Sequence, residues 1–184
     1  SIPFTTYPDR SDVLRSAARP LRYIDEFYLT EQGEVFYVTE MLAKLEGYER
    51  GPAGNTALAI AFKVAQTMKE DEILVVQETE YTGAGKHINP QLSFARANGI
   101  ELKFGNPKEE SVNGENIIFP TSPKNIDVTK LDMDNLRKSY IKNVLAAYKK
   151  TKAELSEVEL TYLEGELNCD RAKLVKLLEE TPAE

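Results

Sequence analysis

The sequence predicts an α/β fold, with parallel-sheet layers flanked by helices and an all-helical C-terminal tail. Three observations carry this. The run Glu72-Ile73-Leu74-Val75-Val76-Gln77 is continuously apolar between charges, the pattern of a strand covered on both faces of a parallel sheet. Helical and strand patterns alternate around it, as a layered α/β architecture requires. From Asp127 onward only helical patterns remain. The expected organisation is an α/β segment over 1–126 and a helical C-terminal cap over 127–184.

The elements follow in order. After an irregular opening through Pro8, Asp9 and Arg10, a short helix is expected from Ser11 to Ala18, ended by Pro20. Ile24, Phe27 and Tyr28 suggest a short strand within Leu21 to Tyr28, and Thr30 stands where a helix N-cap would. Val35, Tyr37, Val38, Met41, Leu42 and Leu45 share one helical face, with Gly47 as a natural C-cap. Gly51-Pro52-Ala53-Gly54-Asn55-Thr56 then opens a helix of small residues, Ala57 to Ala65, expected to be buried all round. The apolar run 72–77, a glycine-bearing loop and a helix from Pro90 to Asn98-Gly99 come next. Ile100 to Phe104 and Asn116 to Phe119 read as short strands, and Pro120, Pro123 and Asp127 mark a linker. Three helices close the chain: Asp134 to Lys150, Glu157 to Leu167 behind Ser156, and Asp170 to Glu180.

Composition narrows the function classes. The 184 residues are 41% hydrophobic and 29% charged, which fits a globular domain and excludes collagen, coiled-coil and disordered classes. No apolar run reaches the roughly 20 residues that a bilayer span needs, and the N-terminus lacks a basic-then-apolar signal pattern. A soluble, cytoplasmic protein with no membrane partner is expected. Thirty acidic against 23 basic residues give a net charge of −7, which disfavours generic attraction to nucleic acid. One cysteine, Cys169, and one histidine, His87, leave no disulfide framework and no metal site of Cys or His type. The chain opens on Ser1 rather than Met, which we read as a piece cut from something longer.

The loop from Tyr81 to His87 is the most informative feature, because its glycines follow a strand pattern and precede a helix. Ligands of open α/β sheets bind beyond the carboxyl ends of strands, and helix N-termini attract phosphate. A nucleotide P-loop fails on residue types: Glu80 stands where its first glycine belongs, and His87 follows Lys86 in place of Ser or Thr. Gly83 and Gly85 serve equally well as turn residues. Lys86 and His87 suit contacts to a phosphate or carboxylate; the histidine alternatively plays a structural part, and the lysine becomes a nucleophile only if desolvated. The Gly51 to Thr56 entrance suits an anion, or simply tight helix packing. Glu78 and Glu80 have the spacing of paired carboxylates and of an ordinary solvated pair. In the tail, two helices joined by a short turn raise a helix-turn-helix DNA reader, but ten basic and twelve acidic residues between 127 and 184 make a poor footprint for phosphates.

The stretch from Asp25 to Lys86 resembles the fold-type II pyridoxal-phosphate enzymes, the group of threonine synthase and cysteine synthase. The resemblance rests on the entrance Gly51-Pro52-Ala53-Gly54-Asn55-Thr56-Ala57-Leu58-Ala59, the strand Ile73-Leu74-Val75-Val76 and the loop Thr82-Gly83-Ala84-Gly85. The longer phrase Tyr81-Thr82-Gly83-Ala84-Gly85-Lys86-His87-Ile88-Asn89-Pro90-Gln91-Leu92, with Phe104-Gly105-Asn106-Pro107 after it, resembles the 2-amino-4-oxopentanoate thiolase β-subunit family. That family cleaves the amino-keto acid with coenzyme A to alanine and acetyl-CoA in ornithine breakdown. The resemblance implies pyridoxal phosphate as cofactor, with the Thr82 hydroxyl facing the pyridine nitrogen and leaving it largely unprotonated. Thr79 is a second candidate for that place, because the loop is a few residues longer than in threonine synthase. Gly83 and Gly85 fall on the cofactor side by the same likeness, and Lys86 and His87 on the substrate side. The family's Schiff-base lysine, Ser-Gly-Asn substrate loop and glycine-rich phosphate loop lie upstream of anything present here. The chain is therefore expected to be the C-terminal part of the enzyme, inactive alone. Its expected partners are the remainder of its own polypeptide or subunit, the thiolase α subunit and further copies of itself. The alternative, from a different class, is a stand-alone non-catalytic domain that holds an anionic metabolite through the Gly83–His87 loop.

Overall fold

A computed structural model of the chain describes residues 18–78, 88–111 and 114–181. They form two compact units, one over residues 28–129 and the other combining residues 18–27 with 130–181. Among the described residues there are seven α-helices: α1 (Ala18–Tyr23), α2 (Gln32–Glu46), α3 (Thr56–Ala65), α4 (Asn89–Ala97), α5 (Met133–Tyr148), α6 (Glu157–Leu167) and α7 (Arg171–Glu180). The strands are β1 (Tyr28–Leu29), β2 (Glu101–Phe104), β3 (Asn116–Phe119) and β4 (Thr129–Lys130), paired β1 with β4 and β2 with β3.

Helix α2 organises the unit over 28–129. It ends where the sequence predicts: Gly47 adopts the left-handed conformation (φ 64°), which costs a residue without Cβ nothing, and its N–H returns to the Leu42 carbonyl. The start falls one residue later than expected, with Glu31 rather than Thr30 as N-cap. The reason is the fully buried Glu34, whose carboxylate accepts the Glu31 N–H (2.9 Å) and the Thr30 hydroxyl (2.7 Å). The same carboxylate accepts the Asp127 N–H at 2.7 Å, tying the helix start to the far end of the unit. Val35 and Val38 pack with Ala59, Ile126 and Val128, while Phe36 packs with Ile88, Leu92, Ala95 and Ile117. One helix thus feeds two apolar clusters.

Strands β2 and β3 run parallel in the register Glu101↔Asn116 to Phe104↔Phe119. Because side chains alternate across a strand, Leu102, Ile117 and Phe119 share one face, and they pack with the Phe36 cluster. The parallel pair and its packed helices agree with an α/β unit. Helix α4 begins with Pro90 in its first turn, where a missing N–H costs nothing, and Gly99 (φ 74°) follows its end. A second carboxylate, Glu110, accepts the N–H groups of Gln32 (3.1 Å), Gly33 (2.8 Å) and Ile118 (2.8 Å). Burial pushes its carboxyl group up, and the three N–H donors draw it back.

Several expectations are corrected. Residues 72–77 form no strand: Ile73 is 88% and Val75 87% exposed. A strand needs neighbours for its backbone groups, and no described segment supplies them to this run. Helix α3 buries only Ala59 and Ala61, so it is covered on one side rather than all round. The strand expected within Leu21 to Tyr28 shrinks to β1. Pro20 does not end a helix but falls in the first turn of α1, where a missing N–H costs nothing; residues 11–17 of the expected helix lie outside the described residues.

The other unit is helical, as the tail predicts. Asp132, Ser156 and Asp170 cap α5, α6 and α7, with side chains that accept the N–H groups of Asp134, Glu159 and Lys173. Leu21, Leu136, Ile141, Leu163, Leu167, Leu174 and Leu177 form its core. The basic side chains of α7 face carboxylates: Arg171 bonds Glu157 (2.7 Å) and Glu164 (3.0 Å), and Lys173 lies 2.9 Å from Asp134. Bonds from Lys150 and Ser156 hold the Glu159 carboxyl down to about 2. No described helix is long and apolar enough to cross a membrane.

Candidate functional site

The loop residues that the sequence singles out for ligand contact, namely Thr79, Thr82, Gly83, Gly85, Lys86 and His87, lie outside the described residues, as does Glu80. What the structure gives is the frame at both ends of their loop. On the exit side, Ile88 is 4% exposed and packs with Phe36, Leu92, Ala95 and Ile117. Its carbonyl accepts the Leu92 N–H at 2.9 Å, so the loop leads directly into the first turn of α4. Residue 88 is thereby fixed by apolar packing and by a helix.

On the entry side stands Glu78, half-buried. Desolvation pushes its carboxyl group up, and the Arg50 guanidinium draws it back. Arg50 lies 4.4 Å from the centroid of the Tyr48 ring and donates to the Tyr48 hydroxyl (2.6 Å). This half-buried guanidinium brings positive charge to Glu78, at the end of the 72–78 run. Sequence reasoning missed Arg50, because a Glu-Arg-Gly stretch carries no motif and only the fold brings it to Glu78.

The Gly51 to Thr56 entrance resolves toward packing. Gly51 and Gly54 are buried, and Asn55 is fully buried as the N-cap residue of α3. Its Nδ2 donates to the Thr39 hydroxyl (3.0 Å) and the Arg50 carbonyl (3.4 Å), while the Thr39 hydroxyl donates to the Val35 carbonyl (2.7 Å). A buried amide so engaged locks α3 to α2 and steadies the backbone of Arg50.

Beside the loop exit lies an open cavity of about 550 Å³. Phe36, Met41, Ile88, Leu92, Leu102, Phe104 and Phe119 line it, with Glu40, Lys44, Asn89, Arg96 and Lys103 at polar positions. Glu40 Oε2 pairs with Lys44 at 3.4 Å, and its buried Oε1 has no hydrogen-bond partner among the described residues. Among the described residues no group of His, Cys, Asp and Glu side chains could hold a metal ion.

No family model and no solved structure matches the chain. Two curated relatives do. A protein of Acetoanaerobium sticklandii named 2-amino-4-ketopentanoate thiolase beta subunit is 60% identical over 172 residues, which is 94% of this chain and 36% of that protein. A protein of the same name from an unidentified prokaryote is 51% identical over 169 residues, 92% of this chain and 35% of the relative. The chain is thus similar along nearly its whole length to 2-amino-4-ketopentanoate thiolase β subunits, and it spans about a third of their length.

Proposed function

We propose that the chain is the C-terminal part of a pyridoxal-phosphate-dependent 2-amino-4-ketopentanoate thiolase β subunit. In this reading the complete enzyme works in the cytoplasm with an α subunit. It cleaves its substrate with coenzyme A to alanine and acetyl-CoA, a step of ornithine breakdown. The observation that carries the reading is 60% identity over 94% of the chain to a protein of that name.

The donor chemistry of the loop fits one wall of a pyridoxal-phosphate pocket. Thr82, or Thr79 in its place, offers a neutral hydroxyl to the ring nitrogen. Gly83 and Gly85 let backbone approach a flat ring without a side chain in the way. Lys86 and His87 supply donors for a substrate carboxylate. When bound, the cofactor serves as an electron sink while the carbon–carbon bond to the acyl group is cut. The chain's own part is to bind and orient. Ile88, held in the Phe36 cluster, fixes the end of the loop, and Arg50 sets positive charge at its start. The cofactor-bearing lysine lies outside these 184 residues in this reading, which makes the isolated chain inactive.

Thiolysis by the longer gene product with its α subunit tests the loop assignment. Thr82→Val removes the hydroxyl at nearly constant volume, and the loss of one hydrogen bond to the ring corresponds to roughly 10- to 100-fold in kcat. Thr79→Val should leave kcat within about twofold, since each 1.4 kcal/mol is tenfold. The reverse pattern moves the role to Thr79. Two silent substitutions contradict the placement of this loop against the ring.

A further inference from the structure

We infer that the cavity between α2, α4, β2 and β3 is a nucleotide subsite, which takes a flat base with an exocyclic amino group and the phosphates attached to it. Its described lining residues all belong to the unit over residues 28–129. Three phenyl rings step through it. Phe36 is 3% exposed, Phe119 half-buried and Phe104 73% exposed, with ring centroids 6.4 Å apart for Phe36 and Phe119 and 5.6 Å for Phe104 and Phe119. A phenyl ring left open beside a row of others is a platform on which a planar base stacks. The volume of about 550 Å³ falls within the roughly 300–1,000 Å³ of small-molecule sites.

The polar groups choose the rest of the ligand. Although the chain carries a net charge of −7, three of the four charged side chains among the described residues of the cavity are basic: Lys44, Arg96 and Lys103, against Glu40. Lys44 pairs with Glu40 Oε2 (3.4 Å) and Lys103 with Glu101 (3.2 Å), whereas Arg96 has no ion pair among the described residues. A guanidinium fork so placed matches a phosphate, and the lysines add more positive charge than one carboxylate needs. Glu40 makes the opposite demand, because its buried Oε1 has no hydrogen-bond partner among the described residues. The last torsion of a glutamate side chain is soft, so its two oxygens exchange readily and one N–H donor from a ligand satisfies the carboxylate. A fatty or aromatic acid answers the cations but leaves Glu40 without a donor, and inorganic phosphate leaves the phenyl rings bare. A nucleotide with an amino-bearing base answers all three. The cavity carries this by itself; only the further step, that the nucleotide is the adenosine diphosphate end of coenzyme A, rests on the thiolase-subunit reading. Ile88, at the exit of the 79–87 loop, lines the same cavity.

Calorimetric titration of the longer gene product with ADP, IDP and pyrophosphate tests this. IDP carries an oxygen where ADP carries the amino group, with the same ring system and phosphates. ADP should bind saturably and about 10-fold or more tighter than IDP, the loss expected for one hydrogen bond to a charged acceptor. This ratio needs no variant and so does not depend on any variant folding. Glu40→Gln, whose amide accepts from one base and donates to the other, should bring the two nucleotides within about threefold. Arg96→Ala should weaken ADP and pyrophosphate alike by about 10-fold, and Phe104→Ser should weaken ADP while leaving pyrophosphate within about twofold. No saturable binding of ADP overturns the inference, as does equal affinity for ADP and IDP in the unaltered protein, or ADP binding that none of the three substitutions moves. The expected pattern without a pyridoxal-phosphate adduct on the protein would keep the subsite and reject the enzyme reading; an adduct with no ADP binding would do the reverse. In thiolysis ADP should compete with coenzyme A, and inhibition that coenzyme A does not relieve rejects the coenzyme step alone.

Discussion

Gly33→Ala should cost the unit over residues 28–129 about 3 kcal/mol or more. Gly33 lies in the first turn of α2, pressed against β3. A Cβ there would stand 1.8 Å from the Ile118 carbonyl oxygen and 2.6 Å from Glu110 Oε1. In an unconstrained helix the same substitution gains up to about 1 kcal/mol of helix propensity. Here the obstacle is backbone, which cannot swing aside as a side-chain tip does, so α2 must part from β3. Overpacking of a tight contact costs about 1–3 kcal/mol and sometimes more. To this is added any loss of the Gly33 and Ile118 N–H bonds to Glu110, both 2.8 Å. The sign is decided by space, not by propensity. Urea unfolding with a probe in this unit, for instance the tyrosines at 28 and 37, measures it; an unchanged or raised midpoint would mean that the α2–β3 contact is looser than described.

Glu34→Ala should destabilise the same unit by about 3–5 kcal/mol. The carboxylate is fully buried, and it accepts from the Thr30 hydroxyl, the Glu31 N–H and the Asp127 N–H. Removing it leaves three part-buried donors without this acceptor and opens a small cavity. Each unsatisfied group costs about 1–3 kcal/mol. Glu34→Gln is the informative control: it keeps one carbonyl acceptor but turns an amide N–H₂ toward a donor, so about 1–2 kcal/mol is expected. Because the Asp127 N–H is 93 positions away in sequence, the loss should appear as a cooperative shift of the whole unit rather than fraying of one helix end. A local change in helix content with an unchanged midpoint would contradict this.

How much the sequence discloses depends on how local each cause is. Helix α2 with Gly47, α4 with Pro90, and the Ser156 cap follow from residue types within one turn of each other, and they stand where expected. Strands β2 and β3 were legible as short apolar segments, and their parallel pairing agrees with the α/β class. The run 72–77 has equally strong local character, yet it forms no strand, because a strand exists only with neighbours. The carboxylates that knit the unit were not legible. Nothing in one dimension sets Glu110 beside Gln32 and Gly33, or Glu34 beside Asp127. At the candidate site, sequence alone points to the loop through Thr82, Gly83 and Gly85, while only the fold discloses Arg50 at its start and the buried anchor Ile88 at its end.

The measurement that tests the central claim most directly is the intact mass of the longer gene product, after incubation with pyridoxal phosphate and borohydride reduction, followed by peptide mapping. The account predicts a gain of one reduced cofactor on a lysine outside these 184 residues, and none on the 184-residue chain treated alone. An adduct on Lys86, or no adduct on any lysine, would contradict it and shift the balance to a non-catalytic domain that holds an anion through residues 83–87.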